Sequence, residues 1–399
     1  MIDALRGFAA LWVFLYHIWN VLHPWGNSQV APVVWDSSKP WTYWLSFFIF
    51  QYGYFGVTIF FVVSGFCIHL PQARRFAATG SDGLKLEPFF QRRFWRLYPA
   101  YFAGLFVASL SLGILRFMEY RARGWPLPLP EGFYEQAFGV YDIAYNALFL
   151  LPFFKSAADL NSVLWTLVFE VQFYLLYPLL LWFIRRMGLL PVGLILLLCE
   201  ALMAPSPKNE ANMFDHRPWE YLFLGKYFEW FLGVVAAELL VNHHRLMPRL
   251  GLISVFLLGV LFSIGSVFVP VLWPYRDIAV AVSTCLFLLW VIPRTTNQTS
   301  PPRPILRTFI WLGLFSYSLY LLHIPLLRII NAGNTLLAEW LGHPSWERWM
   351  ILDSIPIVII VSWGFYWLFE RPFLKSTSPL SPGGRGAGGE GEQRQAPVT

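Results

Sequence analysis

Ten stretches of this 399-residue chain are apolar over about the length needed to cross a bilayer, and no other feature constrains its fold as strongly. A helix rises 1.5 Å per residue, so about 20 residues span a ~30 Å hydrocarbon layer. The stretches fall near residues 3–22, 44–70, 98–118, 162–184, 188–204, 221–241, 250–270, 277–293, 308–330 and 351–371. In hydrocarbon each backbone N–H and C=O must be satisfied by the chain itself, and a helix does this within one segment. The expected fold class is therefore an all-α polytopic membrane protein, a bundle of about ten transmembrane helices. An even count puts both termini on the same side.

Charge decides which side. Only 13% of residues are charged, against about 25% in an ordinary soluble domain, so each Lys and Arg outside the apolar stretches carries topological weight. With the N-terminus inside, 18 of the 29 Lys and Arg fall on inner loops and helix ends, and the positive-inside rule then predicts cytoplasmic N- and C-termini. The net charge of +6 is accounted for by this bias; with no basic soluble fold to present it, nucleic acid is not expected as a partner. The partner that composition does imply is the lipid bilayer. The longer connections, 23–43, 119–161, 205–220 and 331–350, then lie on the outer side, where an acceptor could dock.

Residues 1–375 read as one transmembrane domain. Residues 376–399 are rich in Gly, Pro and Ser with almost no large apolar side chain, a composition that cannot bury enough surface to fold; a disordered cytoplasmic tail is expected there. The first segment carries Asp3 and Arg6 and lacks a small-residue cleavage site, so it reads as a retained helix and not as a signal peptide. Cys67, Cys199 and Cys285 all lie in apolar stretches; an odd number without ligand spacing supports neither a disulfide framework nor a metal site.

The candidate chemistry lies in the few ionisable residues inside the apolar stretches, which are costly there and so tend to be functional. Arg6 and His17 are eleven residues apart in the first stretch. On a helix this puts them on one face within about 20°, about 16 Å apart along the axis. An Arg reaching to the interface and a His satisfied by a neighbouring helix would give the same spacing. Glu170, Glu229, His17 and His323 fall at similar depths when the topology is applied. A His with a carboxylate is the pairing that activates a hydroxyl nucleophile; a structural hydrogen-bond network between helices is the alternative. Arg93 and Arg96, in QRRFWRLYP, are neighbours on one helix face and could clamp a phosphate, or simply anchor the chain at an inner interface. Phosphate-loop, zinc-protease and hydrolase-elbow motifs are absent from the sequence.

Seven segments taken in order carry a resemblance: IDALRGFAALWVFLYH (2–17), YGYFGVTIFFVVSGF (52–66), QRRFWRLYPAY (91–101), SVLWTLVFEVQFYLLYPLLL (162–181), FEWFLGVVAAEL (228–239), FSYSLYLLHIPLL (315–327) and FERPF (369–373). Together they resemble the family-3 membrane acyltransferases over the whole chain up to the tail. The resemblance implies transfer of an acyl group, most often acetyl, from cytoplasmic acyl-CoA to a hydroxyl of a cell-envelope glycan, lipid or other acceptor, at a bacterial inner membrane and without a metal. It implies His17 as the catalytic residue and Arg6, Arg93 and Arg96 as ligands of the CoA phosphates. Glu170, Tyr317, Tyr320 and His323 match the family's acidic and aromatic positions. Glu229 joins Glu170 as a candidate partner for His17, while a Tyr or His323 would stabilise the oxyanion. Thr58 and Thr166 depart from the pattern, which more often has Asp and Ser there. A transporter using buried His and Glu as a proton relay, or an assembly protein of a glycan export system, are the rival readings; no inverted repeat supports the first.

Overall fold

The computed structural model describes residues 1–22, 38–50, 52–81, 83–123, 140–150, 161, 163–203, 223–242, 257, 259, 261, 275–295, 301–343 and 346–376. Among these the regular structure is helical, with no strand: α1 (Ile2–Leu22), α2 (Trp41–Phe50), α3 (Phe55–Thr79), α4 (Leu86–Arg123), α5 (Val140–Ala147), α6 (Trp165–Met187), α7 (Leu189–Met203), α8 (Tyr227–Asn242), α9 (Arg276–Thr295), α10 (Pro304–Leu314), α11 (Ser316–Trp340), α12 (Glu347–Met350), α13 (Ser354–Phe365) and α14 (Arg371–Ser376). A π-helical turn over Tyr366–Glu370 joins the last two.

Seven helices among the described residues are long and apolar enough to cross a membrane, and Leu189–Met203 and Pro304–Leu314 are shorter apolar helices. The chain is a multi-pass membrane protein. The stretch expected at 250–270 and the tail from 377 onward lie largely or wholly outside the described residues. Two expected spans are divided. The stretch read as 44–70 is α2, a turn, and α3: the amides of Gly53 and Phe55 donate to the carbonyls of Phe50 and Tyr52, closing turns where a continuous helix would need bonds four residues back. The stretch read as 308–330 breaks at Phe315 (φ −119°, ψ 23°) and runs on to Trp340. The first break falls at the less apolar QYGY (51–54) and the second just before SYS (316–318), dips too short to separate two spans by hydropathy.

α3 packs along α8, and α1 along α10, α11 and α3. The α3–α8 crossing is close because two glycines meet it: a methyl group on Gly65 would strike the Trp230 carbonyl, and one on Gly233 the Val62 carbonyl. Without a hydrophobic force between helices in lipid, such close backbone packing supplies much of the association. The crossing aligns one face of α3, bearing Val57, Phe60, Ser64 and Cys67, toward α4, α6 and α11 across a space that none of them fills.

Candidate active site

That space is a cavity open to solvent. Each wall follows helical spacing: Thr166, Glu170 and Tyr174 on α6, Ser316, Tyr317 and Tyr320 on α11, Arg93 and Arg96 on α4, and Arg6 from α1. Arg6 thus shares one cavity with a pair of guanidiniums about 90 residues away in sequence, at the end of the bundle where α1, α4 and α11 begin. Glu370 joins them from the π-turn.

The side chains are held by specific contacts. The Arg93 guanidinium lies over the rings of Phe89 (5.4 Å) and Tyr174 (5.8 Å), an arrangement that suits a planar cation. Glu170 accepts hydrogen bonds from the Tyr174 hydroxyl and from Ser64 Oγ (3.3 Å), and Trp230 Nε1 donates to Ser64 in turn (3.3 Å). Tyr317 donates to the Leu97 carbonyl (3.0 Å). The Tyr320 hydroxyl meets Thr166 Oγ1 (2.9 Å) and the Val163 carbonyl (3.2 Å). Glu370 Oε2 accepts from both the amide (3.2 Å) and hydroxyl (2.5 Å) of Ser318. It thereby caps one of the amides, that of Ser318, at the start of α11.

His17 and His323 are not among the lining residues of the cavity. Their ring centroids are 5.1 Å apart, and Tyr320 connects them to the cavity, its ring 5.6 Å from that of His323. His323 is 1% exposed. Its Nδ1 faces the Leu319 carbonyl at 3.2 Å, which fixes the proton on Nδ1 of the neutral ring and leaves Nε2 as an acceptor. Among the described residues Nε2 has no hydrogen-bond partner.

The structure thus brings together His17 with His323, and Arg6, Arg93 and Arg96 with Glu170, Tyr317 and Tyr320. It does not bring either expected carboxylate to His17, whose close ionisable neighbours are His323 and Arg328. Glu170 is turned to Ser64 and Tyr174. Glu229 is fully buried in a separate cluster at the start of α8, where Lys226 Nζ bridges it (2.8 Å) to Asp277 (2.5 Å). Sequence position along a helix sets the depth of a side chain, but rotation about the helix axis decides which neighbour it meets.

Ser64, Tyr174 and Glu370 were not singled out from sequence. Ser64 and Tyr174 show only as positions one or two turns from other cavity residues, and Glu370 sits within the FERPF segment with no local sign of its inward turn. A π-turn of this kind is often found at functional positions. Phe60, one turn before Ser64, had likewise looked like any apolar residue of a spanning helix.

A family model described as an acyltransferase domain matches residues 1–370. The chain is 26% identical over 413 aligned residues to "Nodulation protein 10" of Rhizobium leguminosarum bv. viciae, covering 95% of this chain and 94% of that one. It is 24% identical over 394 residues to "Putative peptidoglycan O-acetyltransferase YrhL" of Bacillus subtilis (strain 168), covering 93% of this chain and 54% of the relative. No solved structure matches.

Proposed function

Given that the chain belongs to the acyltransferase family whose model spans residues 1–370, and so is a membrane enzyme transferring acyl groups other than aminoacyl groups, we propose that it moves a short acyl group from acyl-CoA to a hydroxyl of a cell-envelope glycan. The observation that carries this reading is the meeting of Arg6, Arg93 and Arg96, from two helices, in one open cavity. A CoA ester carries several phosphate charges, and guanidiniums bind phosphate through paired, charge-assisted hydrogen bonds. With cytoplasmic termini this end of the bundle faces the CoA pool, and the membrane is the bacterial inner membrane. The relative named for peptidoglycan O-acetylation favours a glycan over a lipid as acceptor, and acetyl as the group moved.

In this mechanism the phosphates stay with the arginines while the pantetheine arm extends along the cavity toward Tyr320. His17 takes the proton of the acceptor hydroxyl as its oxygen attacks the thioester carbonyl. The C–O bond forms, the C–S bond breaks, and the proton passes from His17 to the departing thiolate, giving ester and free CoA with no net proton exchanged. His323, its Nε2 open and its ring beside His17, shares the proton or orients the attacking hydroxyl. Tyr320 lies beside His323, and to donate to the developing oxyanion its hydroxyl has to turn from the Val163 carbonyl it now bonds. Glu170 serves the donor cavity, holding Tyr174 beneath Arg93 and offsetting part of the cationic charge.

The test is His17→Ala, with acyl transfer, acyl-CoA affinity and thermal unfolding measured on the same purified protein. Loss of a general base typically costs about 10²–10⁴-fold in rate, and here donor affinity and unfolding temperature should be retained. Near-normal transfer by folded His17→Ala protein would remove His17 from the chemistry and leave His323 as the base.

A further inference from the structure

α1 turns one stripe toward the interior of the bundle: on a regular helix Arg6, Val13, His17 and Asn20 fall within about 60° of one another. Ala9, Ala10 and Val13, on or beside this stripe, are buried, so it does not face lipid. His17 and Asn20 are nevertheless only half-buried, whereas Tyr16, Ile18 and Trp19 of the same turn are buried. Neither His17 nor Asn20 lines the donor cavity, so their accessible surface opens to a separate space. Asn20 lies about 4.5 Å farther along the axis than His17. With a cytoplasmic N-terminus, that is the outer, acceptor side of the imidazole.

Two unpaired acceptor atoms flank His17. Asn20 Oδ1 and His323 Nε2 are both buried with no hydrogen-bond partner among the described residues, and the His323 ring is 5.1 Å from that of His17. Buried polar atoms are nearly always paired, and an orphan costs free energy that a ligand donor recovers. Each of these atoms takes an O–H. An isolated alcohol has one to give, and the attacking hydroxyl spends it on the imidazole pair. Asn20, a turn farther out, is left for a second hydroxyl on the same acceptor.

We propose that Asn20 binds a hydroxyl of the acceptor adjacent to the one His17 deprotonates, so that the site selects a polyhydroxylated sugar over an isolated alcohol. The proposal rests on the function proposed above and adds what the acceptor has to carry. A side-chain amide offers an acceptor oxygen and a donor nitrogen side by side, which matches a hydroxyl that both donates and accepts. With that hydroxyl held, the acceptor cannot turn freely, and the attacking oxygen is kept at the imidazole. No bond forms or breaks at Asn20, whose part is to bind and orient.

The experiment gives purified full-length protein acetyl-CoA with either a base-deacylated envelope glycan fraction or 1-dodecanol in the same detergent, and measures ester products by mass spectrometry. Wild type should use the glycan with a kcat/KM at least about tenfold above that for dodecanol, because the alcohol leaves Asn20 unpaired. Asn20→Leu keeps the branched outline of the side chain without its polar atoms. It should raise the KM for glycan about tenfold while the KM for acetyl-CoA and the slow dodecanol reaction stay at wild-type levels. Its unfolding temperature should equal or exceed that of wild type, since an unpaired buried atom has been removed. Asn20→Ala provides the same comparison of the two Michaelis constants should Asn20→Leu fail to accumulate. An unchanged KM for glycan, or a rise in both Michaelis constants together with a lower unfolding temperature, overturns the contact. A wild type that takes dodecanol as readily as glycan does so too, and the acyltransferase reading survives each of these results. A wild type that acetylates neither acceptor from acetyl-CoA overturns that reading and the Asn20 contact with it.

Discussion

Arg6, Arg93 and Arg96 share an open cavity with Glu170 and Glu370, whereas Lys226 meets Glu229 and Asp277 directly at 2.8 and 2.5 Å. Both groups are cations set among carboxylates within one helical bundle. In the first, each carboxylate is turned to hydroxyl donors, Glu170 to Tyr174 and Ser64 and Glu370 to Ser318, so the guanidiniums keep their bonding capacity for a ligand. In the second, the cation is bound by two carboxylates at the starts of α8 and α9, with Glu200 of α7 close by. Burying charge is costly in either case. Binding sites differ from structural ties in whether the opposite charge is already in contact, and residue type says little about that.

The largest effect that would break this contrast is at Lys226. Lys226→Met leaves Glu229, fully buried, and Asp277 without their shared cation, and removing one member of such a pair typically costs about 3–5 kcal/mol. The expected result is a large drop in thermal unfolding temperature in detergent, with acyl transfer per folded molecule preserved. Unchanged stability with lost transfer would place Lys226 in the functional site and end the distinction.

Arg96→Ala should show the reverse. A hydrogen bond to a charged partner contributes about 1.5–3 kcal/mol, so acyl-CoA affinity should fall roughly 10–100-fold while the unfolding temperature stays near wild type. Arg93→Ala should behave similarly, with some added loss of packing because its guanidinium covers Phe89 and Tyr174. Wild-type donor affinity in both variants would make these arginines anchors only.

Much of this was legible in the sequence, and the reasons differ by residue. The all-helical membrane fold followed from span length and backbone satisfaction. Helix periodicity paired Arg93 with Arg96, and only the resemblance joined Arg6 to them. Depth along a helix is readable too, which is why His17 and His323 were both expected near one level. Azimuth is not: Glu170 and Glu229 had suitable depths, but α6 directs one to Tyr174 and Ser64 and α8 directs the other to Lys226. Breaks within apolar stretches were also hidden. The Phe315 break and the π-turn at Tyr366–Glu370 change backbone hydrogen bonding with no turn residue such as Gly or Pro within them to mark them, and together they bring Glu370 to Ser318. Phe60 illustrates the same limit, since a ring that lines a cavity has the composition of a ring that faces lipid.

The finest test compares the two carboxylates that the sequence could not tell apart. Glu170→Gln keeps an oxygen that can accept from Tyr174 and Ser64 but removes a negative charge from the cavity that holds Arg93 and Arg96. At separations of several Å and an effective dielectric between those of protein and water, one unit charge changes the energy of a bound anion by on the order of 1 kcal/mol. Acyl-CoA should therefore bind severalfold more tightly to Glu170→Gln by equilibrium titration, and raising the salt concentration should shrink the difference because the open cavity is screened. Glu229→Gln retains an acceptor for Lys226 Nζ but loses the charge-assisted part of that bond, so its effect should appear as a modest loss of stability with donor affinity unchanged. If Glu229→Gln alters donor binding as much as Glu170→Gln does, the charge at the start of α8 acts on the same ligand, and the cavity extends farther through the bundle than its lining residues indicate.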